Sequence, residues 1–199
     1  MKPLCIIFSN CLKKGIFPSQ WKKGNIIPIH KKGPKNIINN YRPISLLPIC
    51  AKLFEKIIYN TIYHHFEHHK LFNIQQSGFR SGDSCTNQLI AITHNIYSSF
   101  DVNPTREVRG VFLDISKAFD RVWHAGLLLK LKKNGINGNL LRLISSFLSD
   151  RYQRVVLNGQ SSDWERISAG VPQGSILGPL FFFIYVNDIS FNLESDVKL

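Results

Sequence analysis

The sequence predicts a mixed α/β (α+β) chain, and three observations predict it. Apolar residues recur at helical spacing over Leu53, Ile57, Ile58, Ile62 and Phe66. Two β-branched, apolar runs, GNIIPIH (24–30) and VRGVFLDI (108–115), read as strands, the second as a buried one. The runs RYQRVVLNG and WERISAG flank the turn-forming NGQSSD as an antiparallel pair would. A chain of 199 residues, 44% hydrophobic and 19% charged, can bury a core and fits one globular domain.

Taken in order, residues 4–14 read as a short helix that Gly15 and Pro18 stop. Strand 24–30 follows, then the basic loop KKGPKNIINNYRP, then a helix from Ile49 to about Leu71. The polar loop NIQQSGFRSGDS leads into a helix from about Cys85 to Phe100, followed by the strand ending near Asp114. Helices over about 124–134 and 138–149 are separated by Gly135 and Gly138. After the antiparallel pair, VPQGS turns into an apolar helix containing Phe181, Phe182 and Phe183, expected in the core. No repeat or low-complexity tract interrupts this order. The mixture suggests a small basic lobe before a sheet-based one.

Charge is unevenly spread. Residues 1–80 hold 13 Lys/Arg against two acids, Glu55 and Glu67, whereas residues 81–199 hold 12 against 11. Nearly all of the +12 net charge therefore lies in the first two-fifths, a one-sided field that attracts polyanions such as nucleic acid. The four cysteines, Cys5, Cys11, Cys50 and Cys85, form no C-x-x-C pair and read as reduced, mostly buried thiols. The longest apolar run, SILGPLFFFIYV, is broken by Gly178 and Pro179 and is shorter than the ~20 residues a membrane span needs. Membrane insertion and secretion are not expected; a nuclear or cytoplasmic location is.

Asp114 stands where an apolar strand meets a turn, a place from which a carboxylate can face a cleft and hold a hard cation through oxygen. The competing reading is a helix cap or a surface ion pair. Asp120, ahead of a helix, reads as a cap. Phe119 alone would be assigned to the core. HHFEHH places His64/His68 and His65/His69 four apart, a spacing zinc can use; a solvated helix face is the favoured reading.

The stretch VFLDISKAFDRVWH resembles the first palm motif of reverse transcriptases from LINE-type (non-LTR) retrotransposons. PSQWKKGNIIPIHKKG, NYRPISLLPICAKLFEKII, QSGFRSGDSCTNQL, GVPQGSILGPLFFFIYVNDI and SDVKL occur in that family's order and spacing, from about Phe17 to Leu199. The resemblance implies one partial domain of right-hand polymerase architecture: mainly basic fingers over about 1–100 and an incomplete antiparallel palm sheet, packed with helices, over about 101–199. It implies nucleotidyl transfer with Mg²⁺ or Mn²⁺, an RNA template, a DNA primer and a dNTP.

Residue by residue, the resemblance makes Asp114 the catalytic metal-holding carboxylate, with the Ile115 carbonyl assisting. Lys117 and Ala118 would offer backbone N–H groups to the triphosphate, and Phe119 would lie under the sugar and exclude a 2′-OH. Arg42, with Lys31 or Lys32, would bind the triphosphate, because a guanidinium meets phosphate oxygens bidentately. Gln173 would sit beside the sugar and template base, with Gly170 and Gly174 permitting close backbone approach. Arg80 would brace template or fingers, with a solvated loop charge as the equal alternative, and Asp188 would be structural. The family's next motif, an aromatic-Ala-Asp-Asp hairpin supplying the second metal-holding acid, is not in the sequence, nor is a thumb. The expectation is a truncated domain that polymerises poorly or not at all alone. A non-catalytic RNA- or DNA-binding remnant is the alternative.

Overall fold

Helix α1 (Lys2–Lys14) carries Lys13 and Lys14 in its last turn, where cations meet the negative end of the helix dipole. The computed structural model describes residues 2–102, 105, 107–191 and 193. Strand β1 (Lys23–His30) pairs antiparallel with β2 (Tyr41–Leu46), with Ile27 opposite Ile44. On its other side β1 runs parallel to β3 (Arg151–Leu157), with Asn25 opposite Arg154. Both β4 (Gln160–Ser161) and β5 (Glu165–Ile167) return antiparallel on β3. The five-stranded sheet is therefore mixed rather than antiparallel throughout, because β1 and β3 come from distant segments that enter in the same direction.

Helix α2 (Ile49–His68) buries Phe54, Ile58, Ile62 and Phe66 along one stripe. It packs with α4 (His124–Lys133), α5 (Gly138–Leu148) and the apolar α6 (Leu177–Val186) around one core, which also takes in Phe8 of α1 and Phe17. In the triple-Phe run, Phe181 and Phe183 are fully buried and Phe182 packs against the core edge. Helix α3 (Cys85–Val102) buries no side chain completely.

Three expectations are corrected. Segment 108–115 is not a buried strand: it has no strand assignment, and Val111, Phe112 and Leu113 are 83–91% exposed. Among the described residues no strand lies beside it, and β-branched composition cannot form a ladder without a partner. The basic loop is shorter than predicted, because Tyr41, Arg42 and Pro43 belong to β2; Pro43 is tolerated there because β2 is an edge strand. The cysteines are all free, but none is buried: Cys5 and Cys85 are exposed, Cys11 and Cys50 half-buried. SDVKL lies outside the described residues. Among those described, no helix is long and apolar enough to cross a membrane.

Candidate functional site

Proline-rich strands and a tight acidic turn face each other across an open cleft of about 760 Å³. The β1–β2 side supplies Lys31, Tyr41 and Arg42; the turn supplies Asp114, Ile115, Lys117, Phe119 and Asp120; Gln173 closes a third side. Residues far apart in sequence are thus brought together in one place. Lys32, Arg80, Ala118 and Gly174 do not line it. Gly170 lines an adjoining cavity of about 150 Å³ that shares Asp120 and Gln173 with the cleft.

Local bonds explain each placement. The Lys31 N–H donates to the Asn40 carbonyl (2.8 Å), and the Tyr41 hydroxyl donates to the Lys35 carbonyl (2.8 Å), closing the basic loop back on itself. Lys117 takes a left-handed conformation (φ +53°), which turns the chain into a short 3-10 segment, Ala118–Arg121. Phe119 stacks on Phe182 at 5.3 Å and meets Phe79 edge-on at 6.2 Å. It therefore serves both readings, anchored to the core and lining the cleft. The Gln173 carbonyl accepts from Ser45 N–H (2.6 Å), while its side-chain amide donates to Asp120 Oδ1 (3.3 Å).

The two glycines beside Gln173 are required by the chain's own backbone. A Cβ on Gly170 (φ +84°) would lie 2.8 Å from Asp120 Cα, and one on Gly174 (φ +115°) 2.6 Å from the Ser45 carbonyl oxygen. The Gly170 carbonyl accepts from the His124 ring (2.7 Å), and Gly170 and Val171 N–H donate to Val122 and Phe119 carbonyls (2.9 and 2.8 Å). The 170–174 segment is fastened to the acidic turn on one side and to β2 on the other.

Asp114 is exposed and forms no salt bridge among the described residues. Asp114 and Ile115 both line the cleft, and a carboxylate is the hard oxygen donor that Mg²⁺ takes, together with waters and substrate phosphates. Lys31, Arg42 and Lys117 give the cleft three cations against Asp114 and Asp120.

Asp120 caps no helix: the residue flanking α4 is Trp123, without a side-chain cap, and Asp120 instead accepts from Gln173. Arg80 lies near Glu67 (3.8 Å). Asp188 pairs with Lys130. In HHFEHH, His65 bonds the Asn134 carbonyl (2.7 Å), and among the described residues no three His, Cys, Asp or Glu side chains cluster to hold a metal.

Sequence reasoning missed Glu55, which is fully buried beneath the Gln173 segment. Its Oε2 accepts from the Ser175 hydroxyl (2.6 Å) and the N–H groups of Ile176 (2.8 Å) and Leu177 (3.3 Å). The available signal was its spacing: Ala51, Glu55, Ile58 and Ile62 fall on one helical face, an acid inside an apolar stripe. Arg151 is buried as well; burial lowers its pKa and the nearby Glu55 charge opposes the shift, leaving it at about 10.

A model of the family "Reverse transcriptase (RNA-dependent DNA polymerase)" matches residues 29–199. The chain is 38% identical over 197 residues to a probable RNA-directed DNA polymerase from transposon X-element of Drosophila melanogaster, covering 98% of this chain and 21% of that protein. It is 38% identical over 187 residues to the RNA-directed DNA polymerase from mobile element jockey of the same organism, covering 94% and 20%. A Pol polyprotein from type-1 retrotransposable element R2 of Popillia japonica is 28% identical over 187 residues, covering 92% and 25%. The chain thus spans about a fifth of the length of the first two of these curated relatives and a quarter of the third.

Proposed function

The chain belongs to the reverse transcriptase (RNA-dependent DNA polymerase) family, as a domain of the non-LTR retrotransposon kind, and from that premise we propose that its cleft takes the incoming dNTP for RNA-templated extension of a DNA primer. The supporting observation is convergence: Lys31, Arg42, Asp114, Ile115, Lys117, Phe119 and Gln173 all line one cleft, from three separate segments. In this reading residues 1–100 act mainly as fingers and the remainder mainly as palm.

Arg42 and Lys31 bind the triphosphate, and Lys117 adds charge from the opposite wall. The Phe119 ring, held by Phe182, lies against the sugar and leaves no room for a 2′-OH. Gln173, kept in place by Asp120, faces the base pair being formed, and Arg80 braces the template side. Asp114 and the Ile115 carbonyl would hold Mg²⁺ or Mn²⁺, which when bound neutralises charge developing on the attacking and leaving oxygens.

Titration of the chain with a dNTP tests this. Affinity should tighten on adding Mg²⁺, Asp114→Asn should remove that tightening, and Arg42→Ala should weaken binding about tenfold with or without metal. A dNTP affinity indifferent to Mg²⁺ and to Asp114→Asn overturns the proposal. The charge of residues 1–80 favours one second reading, a nucleic-acid-binding module without catalysis. Salt-dependent RNA binding with no dNTP affinity would support that reading instead.

A further inference from the structure

Glu55 is the one acid in the apolar stripe of α2, and it is completely buried. Removing a carboxylate from water costs several kcal/mol, and a leucine at this position would fill the stripe without that cost. The charge of the nearby buried Arg151 offsets part of it, and the hydrogen bonds that offset the rest go to a single place. Glu55 Oε2 takes three donors from consecutive residues, Ser175, Ile176 and Leu177, at the start of α6. The Ser175 hydroxyl in turn accepts from Leu177 and Gly178 N–H (3.1 and 3.2 Å). The other carboxylate oxygen, Oε1, has no hydrogen-bond partner among the described residues, so the carboxylate's hydrogen bonds there are all directed at this segment.

Two residues upstream of Ser175 stands Gln173. Its carbonyl is held by Ser45, and its amide reaches Asp120 in the cleft. Gly174, between them, runs so close to β2 that a Cβ there would lie 2.6 Å from the Ser45 carbonyl oxygen, so the short link has little room to move toward that strand. Any displacement of Ser175 is therefore passed to Gln173. We propose that Glu55 is a positioning residue for Gln173, acting through Ser175 and the first turn of α6 to fix that amide in the nucleotide cleft. The inference rests on the nucleotide reading of the cleft for its consequence, but not for its geometry.

Both parts can be tested separately in the full chain. By NMR, Glu55→Gln and the milder Ser175→Ala should speed hydrogen exchange of the Ile176, Leu177 and Gly178 amides at least tenfold. They should also move the Gln173 side-chain amide signals toward those of the Asp120→Ala protein, while exchange at Ile58 and Phe66 stays as in the parent. Unchanged exchange at 176–178, or unmoved Gln173 signals in both variants, overturns the proposal.

For the consequence, Glu55→Gln should weaken dTTP binding in Mg²⁺ about tenfold and add nothing when Gln173→Ala is already present. A further tenfold loss in the double variant means that Glu55 acts by some route other than Gln173, which overturns it. A parent chain that binds no dTTP sinks the nucleotide reading and leaves the exchange and Gln173 signals to decide whether Glu55 positions this segment.

Discussion

Lys22 shows how a single charge can work against this fold. It is 8% exposed, and its ammonium donates to Ser146 Oγ at 3.3 Å. Burial holds its pKa below the ordinary lysine value of 10.5; Asp150 opposes that shift, and Arg151 adds to it. The unfolded chain therefore binds this proton more tightly than the folded one. The resulting penalty is fully present below the folded-state pKa and lifts as pH climbs from there to 10.5. Lys22→Met keeps the stem's packing and removes the charge. It should stabilise by about 1 kcal/mol at pH 7, the low end for replacing a buried ion, because a long stem keeps its charged head near water. That corresponds to a Tm rise of about 3 °C in a chain of this size. Paired thermal melts at pH 7 and pH 10 check it: the gain should shrink at the higher pH, and a variant no more stable than the parent at pH 7 contradicts it.

At the scale of elements, segment 170–174 and segment 108–115 make opposite predictions. Gly174→Ala puts a Cβ into the Ser45 carbonyl at a φ that side chains avoid, so it should cost about 1–3 kcal/mol. Denaturant unfolding would register this as a lower midpoint with an unchanged slope. Phe112→Ser, at a side chain 87% exposed, should move stability by no more than about 0.5 kcal/mol. A larger loss would mean that segment 108–115 packs after all. The same contrast explains what the sequence revealed. Helices were readable because α2 carries its own period, α6 is a continuous apolar run behind a Pro/Gly turn, and glycines separate α4 from α5. Strand β2 was hidden because Tyr41-Arg42-Pro43 looks like a loop and becomes a strand only beside β1. Segment 108–115 failed for the converse reason, since strand composition does not supply a neighbour. In the cleft, Lys31, Arg42, Asp114 and Gln173 were legible through a resemblance carried by contiguous motifs. Asp120 and Glu55 were not, because their roles depend on a fold that brings residue 120 to 173 and residue 55 to 175.

Over the whole molecule, the basic first half and the near-neutral second half are stabilised together. Phe17 N–H donates to Ser146 Oγ (3.0 Å), Asn139 donates to the Lys13 carbonyl (2.9 Å), and Asn187 Oδ1 accepts from Asn73 N–H (2.9 Å). Phe54 lies at the centre, fully buried, stacked on Phe8 at 4.8 Å and on Phe17 at 5.9 Å, with Phe147 edge-on to Phe17 at 5.1 Å. A sheet whose central pair joins residues 23–26 to 152–155 adds a second bond between the halves. One cooperative transition is therefore expected, with no separate melting of the first hundred residues. Phe54→Ala should cost about 3–5 kcal/mol, equivalent to a fall of about 9–15 °C in Tm at roughly 3 °C per kcal/mol. With Trp123 and Trp164 replaced by Phe, Trp21, edge-on to Phe54 at 6.2 Å, reports the first half by fluorescence, and far-UV circular dichroism reports the helices of both. The two signals should shift together by the same amount. Helix α3 is the exception, since it contributes no fully buried side chain and should open locally below the global transition. Amide exchange over 85–102 that is faster than over α2 and α6, alongside coincident melting of the two optical signals, is the expected pattern. Two resolved transitions, or a Phe54→Ala shift confined to the fluorescence signal, would mean that the halves fold independently.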